Sequence, residues 1–212
     1  MKTLILAALI AGLTAPATAT TAAPVALRAE SPMSDARFWS IIDDTVQADG
    51  DPEAQLEALY EALGDLSADE VLGFRDAFER QMTRAYAWDL WAVAYIAHGS
   101  ASDDGFDFFR RWLISRGQAV FEQVLSNPDS LADLPGLDGR DVLEFEHLTY
   151  APMEVWAEKT GRSPDDMPPP AVWTMPGSAP SGEPFEENPA ALAARFPKTW
   201  ARFGETPLGQ VT

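Results

Sequence analysis

The chain contains no cysteine among its 212 residues. This absence excludes disulfide bonds, a thiol nucleophile, cysteine-ligated zinc or iron–sulfur clusters and a lipid anchor on an N-terminal cysteine. Basic side chains are also scarce, since 15 Lys and Arg stand against 33 Asp and Glu and give a formal net charge of −18. Phosphate backbones and anionic membrane surfaces repel such a chain, so we expect no nucleic-acid partner.

Long hydrophobic runs are missing as well. The apolar run from Leu4 to Leu13 is shorter than the roughly 20 residues that span a bilayer, so we predict no stable membrane span. Lys2 precedes this run and Ala17-Thr18-Ala19 follows it, in the order that is typical of a secretory signal peptide. We therefore predict a signal peptide over residues 1–19 and a secreted or periplasmic protein.

Cleavage after Ala19 would remove Lys2 and no acidic residue, which changes the formal charge from −18 to −19. Residues 20–33 are rich in Thr, Ala and Pro and predict a flexible lead-in. Two alternatives stay open. The segment could remain uncleaved as a weak anchor, or translation could start at Met33 and leave the protein in the cytoplasm.

Well-known catalytic and nucleotide-binding motifs are absent. The chain has no Gly-x-Ser-x-Gly elbow, no Walker lysine, no Gly-x-Gly-x-x-Gly loop, no His-Glu-x-x-His pair and no EF-hand pattern. We therefore predict no cofactor, and the sequence leaves open whether the protein is an enzyme.

Helical patterns begin near Ser34. Phe38, Ile41, Ile42 and Thr45 recur on one helical face. Asp51-Pro52-Glu53 predicts the start of a second helix that ends at Gly64. The capping box from Ser67 to Glu70 predicts the start of a third helix.

Residues from Tyr86 to Ala97 are apolar nearly all round, which predicts a central helix enclosed by the others. Further helices are predicted over Asp104–Arg116, after Gly117, over Asp141–Tyr150, over Pro152–Lys159 and after Asn188-Pro189, where Pro197 disturbs the last one. Residues 162–187 are rich in Pro and Gly and predict an irregular crossing before the last helix. The prediction is an all-α fold, a single compact helical domain over residues 34–204 with a tail over 205–212.

Several of these segments resemble one known family. They are Phe38-Trp39-Ser40-Ile41-Ile42-Asp43, Ala85-Tyr86 with Asp89-Leu90-Trp91 and Ala94-Tyr95-Ile96, Ser102-Asp103-Asp104-Gly105-Phe106 with Phe109-Arg110 and Trp112-Leu113-Ile114, Asn127-Pro128-Asp129-Ser130-Leu131, Lys159-Thr160-Gly161, and Phe196-Pro197-Lys198-Thr199-Trp200 with Arg202-Phe203. In this order they are similar to the bacterial family called domain of unknown function 4240. The resemblance implies a compact helical domain and no particular activity. The chain departs from the family pattern at Ser100 and Ala101, where Gly and Cys are expected.

The block Ser102-Asp103-Asp104 carries the main candidate site. Adjacent carboxylates can hold a hard cation or divide acid and base roles. The alternative is that Ser102 caps the next helix and that the two acids favour its positive end.

The only histidines, His98 and His147, extend this candidate. Together with Asp103 and Glu144 they could form a metal site of nitrogen and oxygen ligands. A histidine at a helix end also binds terminal carbonyl groups, which gives His98 a purely structural interpretation.

Arg110 could turn inward and bind a carboxylate or phosphate, or it could pair with Asp107 within its own helix. Trp91 and Trp112 could stack on a ligand, or they could belong to the core. Three arginines, Arg75, Arg80 and Arg84, lie loosely on one side of the third helix. There they offset the negative charge of the acidic surface or bind an anion.

These features predict an exported, non-catalytic domain that binds a protein or small molecule near Ser102-Asp103-Asp104, with Arg110, Trp91 and Trp112 as further contacts. The acidic surface favours a basic partner. The alternative is a hydrolase, metal-assisted or purely acid–base, that uses Asp103, Asp104 and His98.

Overall fold

Helices make up the regular structure of this protein. A computed structural model describes residues 32–46, 51–137, 142–171 and 178–209. Its α-helices are α1 (Asp35–Thr45), α2 (Pro52–Gly64), α3 (Ala68–Arg84), α4 (Trp88–His98), α5 (Asp103–Ser115), α6 (Gln118–Ser126), α7 (Tyr150–Thr160), α8 (Pro189–Arg195) and α9 (Pro197–Thr199). Short 3-10 turns cover Pro128–Asp133, Glu146–Thr149 and Pro164–Asp166, and a π turn covers Trp200–Gly204. Within these ranges the β-structure is a single bridge between Ala87 and Ser181, so the predicted all-α class is confirmed.

Local capping explains where most of these helices begin. The side chains of Ser34, Asp51 and Asn188 each accept a hydrogen bond from a backbone N–H in the first turn. Ser67 and Glu70 form the complete capping box that the sequence predicts. Each cap satisfies donors that have no partner inside the helix.

The central helix is α4, as its uniformly apolar composition predicts. Its buried residues are Leu90, Ala92, Val93, Ala94, Ile96 and Ala97. It packs against α5, the turn at Pro128–Asp133, α9 and the π turn. Gly99 ends it with φ of 74°, a left-handed conformation that glycine adopts without a steric cost.

A second packing unit lies on the other side of α5. There α3 packs against α1, α5 and α7, and α7 also packs against α2. The chain enters this unit at Met33, which is buried and lies 3.2 Å from the position of a Cβ atom on Gly73. The groove between α3 and α7 provides the floor of the pocket described below.

The helix predicted over Asp141–Tyr150 is wrong in its extent. The described residues of this segment hold only the 3-10 turn Glu146–Thr149, and α7 then begins at Tyr150. The backbone N–H of Leu143 donates to His98 Nε2, and that of Phe145 donates to Phe108 O on α5. Because neighbouring elements take these donors, the segment is extended where a helix was predicted.

The predicted irregular crossing is described over 162–171 and 178–187. Beyond the turn at Pro164–Asp166 it returns to α4, where Trp88 N–H donates to Ser181 O and Ser181 N–H donates to Tyr86 O. Pro197 separates α8 from α9 as predicted.

The predicted signal peptide over 1–19 lies outside the described residues, as does the lead-in over 20–33 apart from its last two residues. Of the predicted tail, residues 205–209 are described, and Leu208 N–H donates to Ala97 O. None of the described helices combines the length and apolar character that crossing a membrane requires.

Candidate functional site

The Ser102 block forms the first turn of α5. Ser102 Oγ accepts a hydrogen bond of 3.2 Å from Gly105 N–H, which makes Ser102 the N-cap. Asp103 and Asp104 follow it and are exposed, next to the positive end of the helix dipole. Within the described chain neither carboxylate takes part in a hydrogen bond or an ion pair. Ser102 therefore serves as the N-cap of α5, whereas the carboxylates of Asp103 and Asp104 face solvent.

Glu144 brings a third carboxylate to this turn. Its Oε1 lies 3.7 Å from where a Cβ atom would stand on Gly105. Burial raises the pKa of the Glu144 carboxyl, and the nearby charge of Glu146 raises it further. The extended segment at 142–145 therefore places Glu144 beside the first turn of α5.

His98 connects the end of α4 to the same segment. Its Nε2 accepts a hydrogen bond of 2.9 Å from Leu143 N–H, and burial lowers the pKa of the ring to about 4. The imidazole is therefore neutral near pH 7, with its proton on Nδ1 and its Nε2 lone pair already in use.

The candidate metal ligands are not assembled around one point. His147 is exposed and packs against Tyr150, with 6.1 Å between the ring centroids. Across the described ranges, no three side chains of His, Asp or Glu are grouped so that they could hold a metal ion.

The aromatic candidates belong to a stack between α4 and α5. Trp91 lies between Trp88 and Phe106, at centroid distances of 5.4 and 4.8 Å. Its Nε1 donates to Ala101 O at 3.0 Å, so Trp91 supports the loop before α5. Trp112 is 3% exposed and stacks on Phe109 in the core.

Arg110 is turned inward and is 5% exposed. Its Nη1 donates to Met82 O at 2.7 Å, and its Nη2 pairs with Asp107. The guanidinium also lies over the rings of Tyr86 and Phe106, 4.9 and 5.1 Å from their centroids. Arg110 is therefore buried and pairs with Asp107 in its own helix, whereas its binding of a ligand carboxylate or phosphate stays a prediction.

A pocket of about 350 Å³ lies between α3, the start of α7 and the proline-rich segment. Its lining residues are Arg75, Glu79, Thr149, Met153, Pro164, Asp165, Met167, Pro169 and Pro170. The residues come from three regions of the chain, and the proline-rich segment covers the groove between the two helices.

Glu79 supplies the titratable group of this pocket. Burial raises the pKa of its carboxyl, and the charge of Asp107 raises it further, whereas Arg75, Arg111 and Arg110 act in the opposite direction. In the described part of the chain the carboxylate accepts no hydrogen bond. A carboxylate that is partly removed from water and has no bonding partner is costly when charged, so this group is open to a ligand.

Arg75 binds the proline-rich segment that covers the pocket. It is 9% exposed, its Nη1 donates to Pro168 O at 2.7 Å, and its Nε donates to Asp76 Oδ1 at 3.1 Å. Ala171 N–H also donates to Asp76, at 3.4 Å. The pair of Arg75 and Asp76 thus holds residues 168–171 against α3.

Arg75 is expected from the sequence to offset the acidic surface or to bind an anion, and Glu79 is not among the predicted site residues. The available signal was their spacing of four residues, which places both on the side of α3 that also carries buried apolar residues. Nothing in local spacing indicates that residues 164–170 would fold over them.

The fold and the pocket define an all-α domain with a small covered cavity at one side. A family model described as "Protein of unknown function (DUF4240)" matches residues 33–158, which is more than half of the chain. The chain belongs to this family. The resembling segments at 159–161 and 196–203 lie after the matched range. Comparisons with curated proteins and with solved structures found no match.

Proposed function

We propose that this protein is an exported binding domain and that a small molecule occupies the pocket between α3, α7 and residues 164–170. The observation that carries the proposal is that Glu79 lines the pocket and that its carboxylate has no hydrogen-bonding partner in the described chain. A volume of about 350 Å³ suits a small ligand, since such sites commonly measure about 300–1,000 Å³.

The walls of the pocket also suit a ligand. Met153 and Met167 supply flexible, polarisable side chains that adapt to the shape of a bound molecule. The prolines supply rigid apolar surface, and the bond from Arg75 to Pro168 O holds that wall in place. A few polar groups in a mainly apolar site are the usual arrangement for binding and orienting a small molecule.

The test uses protein that carries a carbon-13 label in its methionine methyl groups. Met153 and Met167 line the pocket, whereas Met82 is buried in the core and serves as the internal reference. We expect fragments from a set of small cationic, neutral and anionic compounds to shift the NMR signals of Met153 and Met167 and to leave Met82 in place. The same fragments should raise the melting temperature, because they bind only the folded state.

The control is a variant that fills the pocket. Thr149→Trp adds bulk at the lining, whereas Glu158→Trp adds the same side chain at an exposed position of α7 outside the lining. Binding should be lost in the first variant and kept in the second, with both folded by circular dichroism. Shifts that persist in Thr149→Trp would place the ligand elsewhere and contradict the proposal.

Export is part of the proposal and is supported by the order of Lys2, the apolar run Leu4–Leu13 and the small residues Ala17 and Ala19. Mass spectrometry of the protein from its native cells should find a mature N-terminus at Thr20. A start at Met1 or at Ser34 would contradict cleavage after Ala19.

A second candidate site is the first turn of α5, where a basic protein would dock. Its support is the pair of exposed carboxylates of Asp103 and Asp104, which form no ion pair in the described chain. A lysine-rich peptide should bind in a salt-sensitive manner and lose affinity in the double variant Asp103→Asn/Asp104→Asn. Equal loss in Asp44→Asn, an exposed acid on α1, would indicate general charge attraction.

The hydrolase alternative uses Asp103, Asp104 and His98, with or without a divalent metal. His98 would act through Nδ1, because Nε2 accepts the hydrogen bond from Leu143. A metal held there should raise the melting temperature beyond the effect of sodium chloride at equal ionic strength. Lack of that excess for zinc, magnesium and manganese would count against the metal-assisted form.

A further inference from the structure

The pocket offers more hydrogen-bond acceptors than donors. Among the described lining residues Arg75 is the one basic side chain, and its Nη1, Nε and Nη2 already contact Pro168 O and Asp76. Glu79 and Asp165 are its acids, and the described contacts leave the Glu79 carboxylate without a donor. A ligand group that donates hydrogen bonds therefore completes the site better than one that accepts them.

The basic side chains near Glu79 are already bound to other groups of the protein. The charges that act on the Glu79 carboxyl are that of Asp107, which raises its pKa, and those of Arg75, Arg111 and Arg110, which lower it. Arg110 and Arg111 both bind Asp107, and each also donates to a backbone carbonyl. The Nη groups of all three guanidiniums are thus engaged, so an anion in the pocket would have to compete with their existing partners.

We propose that the ligand of this pocket is a small organic cation with an apolar body, whose ammonium group binds the carboxylate of Glu79. The inference rests on the proposed function, since it names the chemical class of the molecule that would occupy the same pocket. The apolar body would pack on Met153, Met167 and the prolines of the cover.

The described lining residues favour a primary over a quaternary ammonium group. Quaternary ammonium groups are usually recognised by cages of aromatic rings, and none of the described residues that line this pocket is aromatic. A primary ammonium group instead offers three N–H donors, which match the oxygens of Glu79 and the Thr149 hydroxyl. A protonated primary amine therefore matches the acceptors that the described lining offers.

Binding of such a cation is linked to a proton. Burial raises the pKa of the Glu79 carboxyl, with Asp107 as the next cause, and an ammonium group binds the ionised carboxylate better than the protonated one. Arg75 on α3, Arg110 and Arg111 on α5 and the pocket acid Asp165 are the other charged groups that surround it. Affinity for the cation should therefore fall as the pH drops through the pKa of Glu79.

The experiment compares three probes of nearly equal size: benzylammonium, benzyl alcohol and benzoate. Titrations follow the methyl signals of Met153 and Met167 in the full chain. We expect benzylammonium to bind most tightly, and we expect its affinity to fall about tenfold in Glu79→Gln, because the variant removes the charge that strengthens the hydrogen bond to the ammonium group. Asp44→Asn removes an exposed charge on α1 outside the pocket and should leave the affinity unchanged.

The outcomes separate this inference from the proposed function. Binding of benzyl alcohol or benzoate at Met153 and Met167 as tightly as benzylammonium would overturn the cation inference and leave the pocket as a ligand site. If none of the three probes moves these signals at millimolar concentration, the inference is wrong, and failure of the wider fragment set would also reject the proposed function. Should Glu79→Gln not fold, the wild-type protein still decides, because an affinity for benzylammonium that does not fall as the pH is lowered into the acidic range would contradict the proton linkage.

Discussion

Gly117 shows how one backbone conformation fixes the junction between α5 and α6. Its φ of 88° and ψ of 166° lie in a region that only glycine occupies without strain. A Cβ atom at this position would stand 2.6 Å from Asp43 Oδ1, the same atom that accepts a hydrogen bond of 2.8 Å from Gln118 N–H. Asp43 on α1 thus caps α6, and the missing side chain at residue 117 makes room for that cap.

We predict that Gly117→Ala destabilises the protein by about 2–3 kcal/mol, because it adds backbone strain and displaces the carboxylate that caps α6. Urea unfolding followed by circular dichroism measures the change. Asp43→Ala, which removes only the cap, should cost about 1 kcal/mol.

Gly161→Ala provides the matched control. Gly161 also has a positive φ, of 66°, but a Cβ atom there would have no neighbour within 4 Å. It should cost about 1–2 kcal/mol from the left-handed conformation alone. If both glycine variants lose the same stability, the close approach of Asp43 contributes nothing.

Between elements, Asp129 joins two sequence motifs that lie about seventy residues apart. Its Oδ2 accepts a hydrogen bond of 3.1 Å from Lys198 N–H, and its Oδ1 accepts one of 2.8 Å from Thr199 N–H. A carboxylate in the turn after α6 therefore caps α9 and the π turn that follows it. Nearby, Asp133 pairs with the Lys198 side chain at 2.6 Å, at the exposed surface.

We predict that Asp129→Ala lowers the stability by about 1–2 kcal/mol, since it leaves two backbone donors without their acceptor. Asp129→Asn keeps one acceptor and should lose less. Asp133→Ala tests the neighbouring ion pair and should change the melting temperature much less, because solvent screens an exposed pair. A larger effect from Asp133→Ala would mean that the surface charge, and not the cap, holds α9.

The elements that could be predicted are those that depend on nearby residues. Ser67 and Glu70 satisfy each other within one turn, and the apolar composition of α4 predicts its burial in any packing. The segment at 142–145 could not be predicted, because His98 and Phe108 take backbone donors that a helix would have used.

The pocket could not be predicted either, because it also depends on contacts between residues that are distant in the chain. Glu79 and the covering residues 164–170 lie more than eighty positions apart, and only the fold brings them together. The Ser102 block could be located from its sequence, and its interpretation as a cap is confirmed for Ser102 itself. Whether Asp103 and Asp104 also bind a partner stays a prediction.

At the scale of the whole molecule, charge repulsion opposes folding. The 33 acidic side chains exceed the 15 basic ones, so the net charge of −18 repels itself at long range. Several ion pairs, such as Arg84 with Glu122 and Arg37 with Glu70, are at least two-fifths exposed on both partners and contribute little. Screening should therefore remove more repulsion than attraction.

We predict that the melting temperature rises when sodium chloride is increased from about 0.01 M to about 0.5 M, over which the screening length falls severalfold. A rise of about 2–4 °C would correspond to about 1 kcal/mol in a chain of this length. Potassium chloride should have the same effect, because the mechanism needs only ionic strength and no specific cation site. A fall in melting temperature with salt would show that the ion pairs outweigh the repulsion, and a response to sodium alone would indicate a bound ion.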